Sequence, residues 1–78
     1  MTIRVLYFAS LREQVGEAVR LIDASSAGLN AAALWSRLNP AMAMPANTLI
    51  AINQNYASLE TPIADGDEVA FFPPVTGG

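Results

Sequence analysis

The 78-residue chain has no cysteine, no histidine and no lysine. Without cysteine it forms no disulfide. Without cysteine or histidine it lacks the nitrogen and sulfur donors that hold structural or catalytic zinc. Carboxylates remain as hard ligands, but the acids fall in no ligand spacing, so no metal is expected. The staples of small scaffolds are thus missing, and packing has to supply the stability. The same absences exclude Cys-His and Ser-His nucleophile pairs, zinc-bound water and a Schiff-base lysine. An enzyme built on this chain alone would have to run on carboxylates, Tyr or Ser.

Charge is scarce too. Charged residues make up 14% of the chain, with seven acids against four arginines and a net charge of −3. That balance argues against nucleic acid and against an anionic membrane as partners. Apolar runs are short. Arg4 is followed by five apolar residues, Val5 to Ala9, fewer than a secretory signal needs, and nothing approaches a membrane span. A cytoplasmic protein is the expectation. The length allows one domain, which buries roughly 60% of its unfolded surface. Hydrophobic residues reach 53%, but many are alanines that bury little area each.

What is present reads as strands around one helix. "TIRVLYFA" (2–9) alternates, with Ile3, Val5 and Tyr7 on one face and Arg4, Leu6 and Phe8 on the other. The charge on Arg4 marks the second face as the outer one. "SLREQVGE" (10–17) interrupts with a single helical turn and Gly16 as a stop. "EAVRLID" (17–23) returns as a second strand of a wide hairpin. The stretch 25–40 predicts the main helix, with Ser25, Ser26 and Gly28 as capping choices, Asn30 and the alanines suiting its start, and Pro40 as its end. Ala31, Leu34, Trp35 and Leu38 form its apolar stripe, so Trp35 reads as core. "TLIAIN" (48–53) is a third strand, "QNYAS" (54–58) a turn, and "EVAFF" (68–72) the last strand. The order ββαββ predicts an α+β two-layer roll, a mixed sheet with its helix on one face.

Adjacent strand residues point to opposite faces, so Phe71 and Phe72 cannot share one core. If Phe71 faces the helix, Phe72 lies outside beside Leu6 and Phe8. An exposed apolar patch of that kind marks a partner surface; the plainer alternative is scattered surface hydrophobes. Beyond Phe72 the chain changes character. Pro73 and Pro74 stop the ladder and favour an extended arm, which over 73–78 reaches roughly 18–20 Å. Gly77 and Gly78 lack Cβ, so backbone there can pass a channel too narrow for a side chain. The predicted organisation is a folded domain over 1–72 and a reactive tail over 73–78.

At this point the sequence resembles a known family. "DGDEVAFFPPVTGG" (65–78) is similar to the C-terminal signature of the small, sulfur-carrying subunit of molybdopterin synthase. "VLYFASLREQVG" (5–16) and "LIAINQNYAS" (49–58) resemble that family's first strand and turn and its central strand. The resemblance implies a ubiquitin-like β-grasp fold. It also implies a function: an ATP-dependent adenylating enzyme activates the carboxylate of Gly78, and sulfur then displaces AMP to leave a thiocarboxylate. The sulfur comes from a donor such as a cysteine desulfurase or a rhodanese-type protein. A large catalytic subunit of molybdopterin synthase takes up Pro73, Pro74, Val75, Thr76 and Gly77 with the terminus, in a heterotetramer. It uses the sulfur to build the dithiolene of molybdopterin. On that reading the chain binds no cofactor, the ATP is spent by the partner, and the only catalytic group here is Gly78.

Phe72, Leu6 and Phe8 are then the candidates for the large-subunit contact. Arg12 is either a further contact or a solvated loop residue. Asp65, Asp67 and Glu68 either steer the chain onto basic residues of the adenylating enzyme or form a solvated turn. Other readings stay open: a sulfur carrier for thiamine thiazole synthesis, which the "FFPPVTGG" ending fits less well, or an interaction module that is never activated.

Overall fold

The computed structural model describes residues 2–23 and 29–74. Seven elements follow in order: β1 (Thr2–Tyr7), α1 (Ala9–Val15), β2 (Val19–Asp23), α2 (Ala31–Leu38), β3 (Leu49–Ile52), β4 (Asn55–Ala57) and β5 (Glu68–Phe72). The strands form one mixed sheet in the order β2-β1-β5-β3-β4. The first and last strands of the chain thus lie side by side and parallel at its centre, with Val5 level with Val69 and Tyr7 with Phe71. The antiparallel neighbours are β2 on one side and β3 on the other.

Alternation decides what is buried. Ile3, Val5 and Tyr7 of β1 and Val69 and Phe71 of β5 are at most 2% exposed. They meet Ala31, Leu34 and Trp35 of α2, with Leu11, Ile50 and Ile63 closing the core. Tyr7 stacks on Phe71 at 5.9 Å, and the Trp35 ring stands edge-on to both. Burying each such ring contributes about 1.5–3 kcal/mol. The Trp35 indole donates to the Met42 carbonyl at 2.9 Å, which ties the 40–44 loop to the helix. The Asn39 amide donates to the Tyr7 hydroxyl at 3.2 Å.

Four local expectations are corrected. The main helix begins at Ala31, and Asn30 is its N-cap, accepting from the Ala33 amide at 2.8 Å. The proposed caps at 25–28 lie outside the described residues. The single turn after β1 is a seven-residue helix closed by Gly16, whose φ of 92° suits a residue without Cβ. As a result, β2 starts at Val19 rather than at 17. The expected turn at 54–58 contains the strand β4. Asn53 and Gln54 both take left-handed backbone (φ 52° and 69°), the mark of the tight hairpin turn whose twist matches its strands. Neither is glycine, and that hid the hairpin.

Candidate functional site: the outer sheet face and the root of the tail

The helix α2 covers one face of the sheet, and the residues of opposite parity make up the other. Leu6 is half-buried there, level with Ala70 on β5. Phe8 is 48% exposed. Phe72 is half-buried, at the last position of β5. The Phe8 and Phe72 rings meet edge to face at 6.4 Å. On the far side, Tyr56 of β4 leans on Phe72 at 5.9 Å and is itself 76% exposed. Three rings therefore run across one end of the sheet. Ala70 and Ala51, paired between them, leave the middle of the face shallow. An apolar face with aromatics at its rim and small residues at its centre is suited to docking a protein surface.

The backbone carries the tail out of this end. The Phe8 amide donates to the Phe71 carbonyl at 3.1 Å, so the start of α1 is fastened beside the end of β5. Pro73 and Pro74 follow outside any strand. Val75, Thr76, Gly77 and Gly78 lie outside the described residues. Arg12 is exposed one turn into α1, and its amide donates back to the Phe8 carbonyl at 3.4 Å. It therefore stands near the tail root.

The acidic candidates lie elsewhere. Asp65, Asp67 and Glu68 sit at the opposite end of β5, roughly 13 Å of strand from Phe72. Asp67 is held inside the fold's own hydrogen bonds. It accepts from the Asn53 side chain at 2.9 Å and from the Ala64 amide at 2.8 Å. Asn53 in turn accepts from the Glu68 amide at 3.0 Å. The Glu68 carboxylate pairs with Arg4 at 3.6 Å. Asp65 is exposed to solvent in the turn. The sequence candidates thus separate into a group around the tail root (Leu6, Phe8, Arg12, Phe72) and a turn-forming group at the other end.

Two residues of this arrangement escaped the sequence reading. Tyr56 was hidden with β4, although strand periodicity after Asn53 would have placed it outward. Asn53 gave no signal at all, because its partners are 14 and 15 residues away in the chain. Among the described residues no cluster of acids could hold a metal ion. No helix among them is long and apolar enough to cross a membrane.

A mixed sheet with parallel first and last strands at its centre, crossed by one helix, defines a ubiquitin-like β-grasp domain. SAMP1 from Haloferax volcanii superimposes with a TM-score of 0.77 over the whole of both chains at 24% identity. Residues 5–78 match the ThiS family model, and the chain belongs to that family. The molybdopterin synthase sulfur carrier subunit of Escherichia coli (strain K12) is 44% identical over 82 residues, covering 97% of this chain and 99% of that one. A further solved neighbour, at 27% identity and a TM-score of 0.62 with full coverage of both chains, is in the protein-protein complex of subunits 1 and 2 of molybdopterin-converting factor from Helicobacter pylori.

Proposed function

We propose that this chain is the sulfur carrier subunit of a molybdopterin synthase in the cytoplasm, and that its one reacting group is the carboxylate of Gly78. The observation that carries the reading is the end-to-end similarity to a carrier subunit of that name. The shape supports it. The fold offers a docking face beside the point where the chain leaves on Pro73 and Pro74.

The chemistry follows from what a carboxylate lacks. It is a resonance-stabilised anion and a poor electrophile. An adenylating enzyme spends ATP to join AMP to Gly78, and the acyl-adenylate then has a good leaving group. Sulfur from a donor protein displaces AMP, and the product is a thiocarboxylate, a soft nucleophile at neutral pH. The large catalytic subunit binds Pro73 to Gly77 in a channel and docks on Phe72, Phe8, Leu6 and Tyr56. It supplies the side chains that move sulfur onto the pterin precursor. The chain itself holds no cofactor. Since a dithiolene has two sulfurs, two charged carriers serve each product.

The test is intact mass after co-expression with the adenylating enzyme and sulfur donor. The carrier gains the difference between one sulfur and one oxygen; an interaction module stays unchanged. Conversion of a pterin precursor rather than a thiazole precursor then fixes the pathway. Deleting Gly78, or appending residues after it, abolishes sulfur transfer while Tm is unmoved. Full transfer by a variant whose appended residues stay attached would refute the role of Gly78.

A further inference from the structure

The two edges of the sheet differ. On one, β4 spans only Asn55–Ala57, a short edge of the kind that discourages pairing with another chain. On the other, β2 spans Val19–Asp23, and its register with β1 runs from Thr2 opposite Asp23 to Leu6 opposite Val19 without a break. Shortness, a bulge or a proline protects an edge; β2 has none of the three. Its pairing with β1 fixes what it presents outward. The Tyr7 amide donates to the Ala18 carbonyl at 2.9 Å, and by alternation Val5 bonds Arg20 and Ile3 bonds Ile22. The backbone N–H and C=O of Val19 and Leu21 therefore point away from the sheet. Their side chains lie on the outer face, level with Leu6 and Arg4. Val19 is 47% and Leu21 64% exposed, so two aliphatic side chains flank these outward backbone groups.

We propose that β2 is a self-association edge: a second copy of this chain lays its own β2 antiparallel to this one, across a two-fold axis at Leu21, and joins two sheets into one. The inference is independent of the carrier reading. Such pairing is self-complementary, because each outward N–H meets a C=O that the same strand offers in the other copy. Residues bond across the axis only where both point outward, so the axis passes through a residue of β2. Charge selects which one. An axis at Arg20 would set two guanidinium groups directly opposite each other. An axis at Leu21 sets Arg20 against Ile22 and leaves each Arg20 with its own Glu17, at 3.4 Å. Leu21 then packs on its own copy, and two exposed leucines cover each other. The pairing lies in the plane of the sheet, so it leaves Phe8, Phe72 and Tyr56 uncovered. The axis also sends the two β5 ends in opposite directions, which keeps both tail roots open for docking. Two short edges bury less than the roughly 1,200 Å² of a standard interface, so the dimer is weak, half formed at about 0.1–1 mM.

The test is sedimentation equilibrium of the full chain at concentrations spanning that range. The wild type is expected to rise from 8.3 kDa toward twice that mass. Leu21→Lys opposes like charges at the axis and is expected to weaken the dimer by at least about 10-fold. Its Tm should stay near that of the wild type, because the side chain it replaces is exposed. Phe72→Ala is expected to leave the dimer intact. Cysteine variants read the register, since the chain has no cysteine of its own. Under oxidised glutathione, Leu21→Cys is expected to form a disulfide-linked dimer at least about 10-fold faster than Val19→Cys, whose thiol lies opposite position 23 rather than its own copy. A wild type that stays at 8.3 kDa throughout overturns the inference. So does a dimer that Leu21→Lys leaves intact, one that Phe72→Ala dissolves, or crosslinking at position 19 as fast as at 21. If Leu21→Lys does not fold, the two cysteine variants decide alone.

Discussion

Phe71 and Phe72 are neighbours of identical chemistry with opposite surroundings. Phe71 is fully buried, stacked on Tyr7 and edge-on to Trp35. Phe72 lies on the other face, touched by Phe8 and Tyr56, both exposed. The pleat alone makes this difference, since successive side chains alternate. It teaches that one strand can hold the domain together with one ring and build an apolar outer face with the next. Hydrophobicity in the sequence says nothing about which ring does which; phase relative to Val69 does.

The sharpest break of that comparison is a pair of truncations. Phe71→Ala removes the centre of the aromatic cluster and should cost about 3–5 kcal/mol of stability, a large part of what a domain this size possesses. Phe72→Ala should cost about 1 kcal/mol or less in stability and weaken large-subunit binding by roughly 30-fold, as a central aromatic anchor does. Urea titration and calorimetric binding separate the two. A large melting shift with intact binding in Phe72→Ala would mean that the outer face is not the docking face.

The second comparison is between the ends of β5. At the tail end, side chains are offered to solvent. At the other, Asn53, Asp67 and Glu68 satisfy one another and fasten the β3–β4 turn to the start of the last strand. Asn53→Gly keeps the left-handed backbone but removes the side chain, and should cost about 1 kcal/mol, because these exposed bonds exchange readily with water. Asp67→Asn should cost less than Asp67→Ala, since an amide can still accept from Ala64. If Asp67 instead steers the carrier onto its adenylating enzyme, Asp67→Asn would slow association at low salt and leave stability alone. Stopped-flow rates at two ionic strengths decide.

Much of this was legible in the residues. Alternation in β1 placed Ile3, Val5 and Tyr7 inward and Leu6 and Phe8 outward, and in β5 it set Phe71 and Phe72 on opposite faces, as found. The stripe on α2 was legible because helical period and burial coincide at Ala31, Leu34 and Trp35. The hairpin at 53–54 was not, because its turn chemistry is carried by Asn and Gln rather than by glycine. Nor was the role of Asp67. An acid in a turn carries the same letters whether it faces a partner or an asparagine 14 residues upstream. Periodicity reports a face, while a hydrogen bond between distant turns depends on how the faces are assembled.

The inner face can also be tested by pH, with the smallest expected effect. Burial pushes the Tyr7 phenol above its ordinary value of 10.0; the hydrogen bond from Asn39 pulls it back somewhat, and Glu17 and Arg20 act in opposite senses. A raised value in the folded state means that the native protein keeps this proton where the unfolded chain has lost it. The associated stability is therefore complete below about pH 10 and declines as pH rises through 10 toward the folded value. The chain has no lysine or cysteine to titrate in the same window. Tyr7→Phe loses the Asn39 bond and should be less stable than wild type by about 0.5–1.5 kcal/mol near neutrality. It should also lack the alkaline decline, so the two stabilities converge as pH rises above 10. Denaturant titrations across that range measure the gap. Parallel curves would mean that the phenol is not buried as described, and that the ring beneath Phe71 is wetter than its neighbours imply.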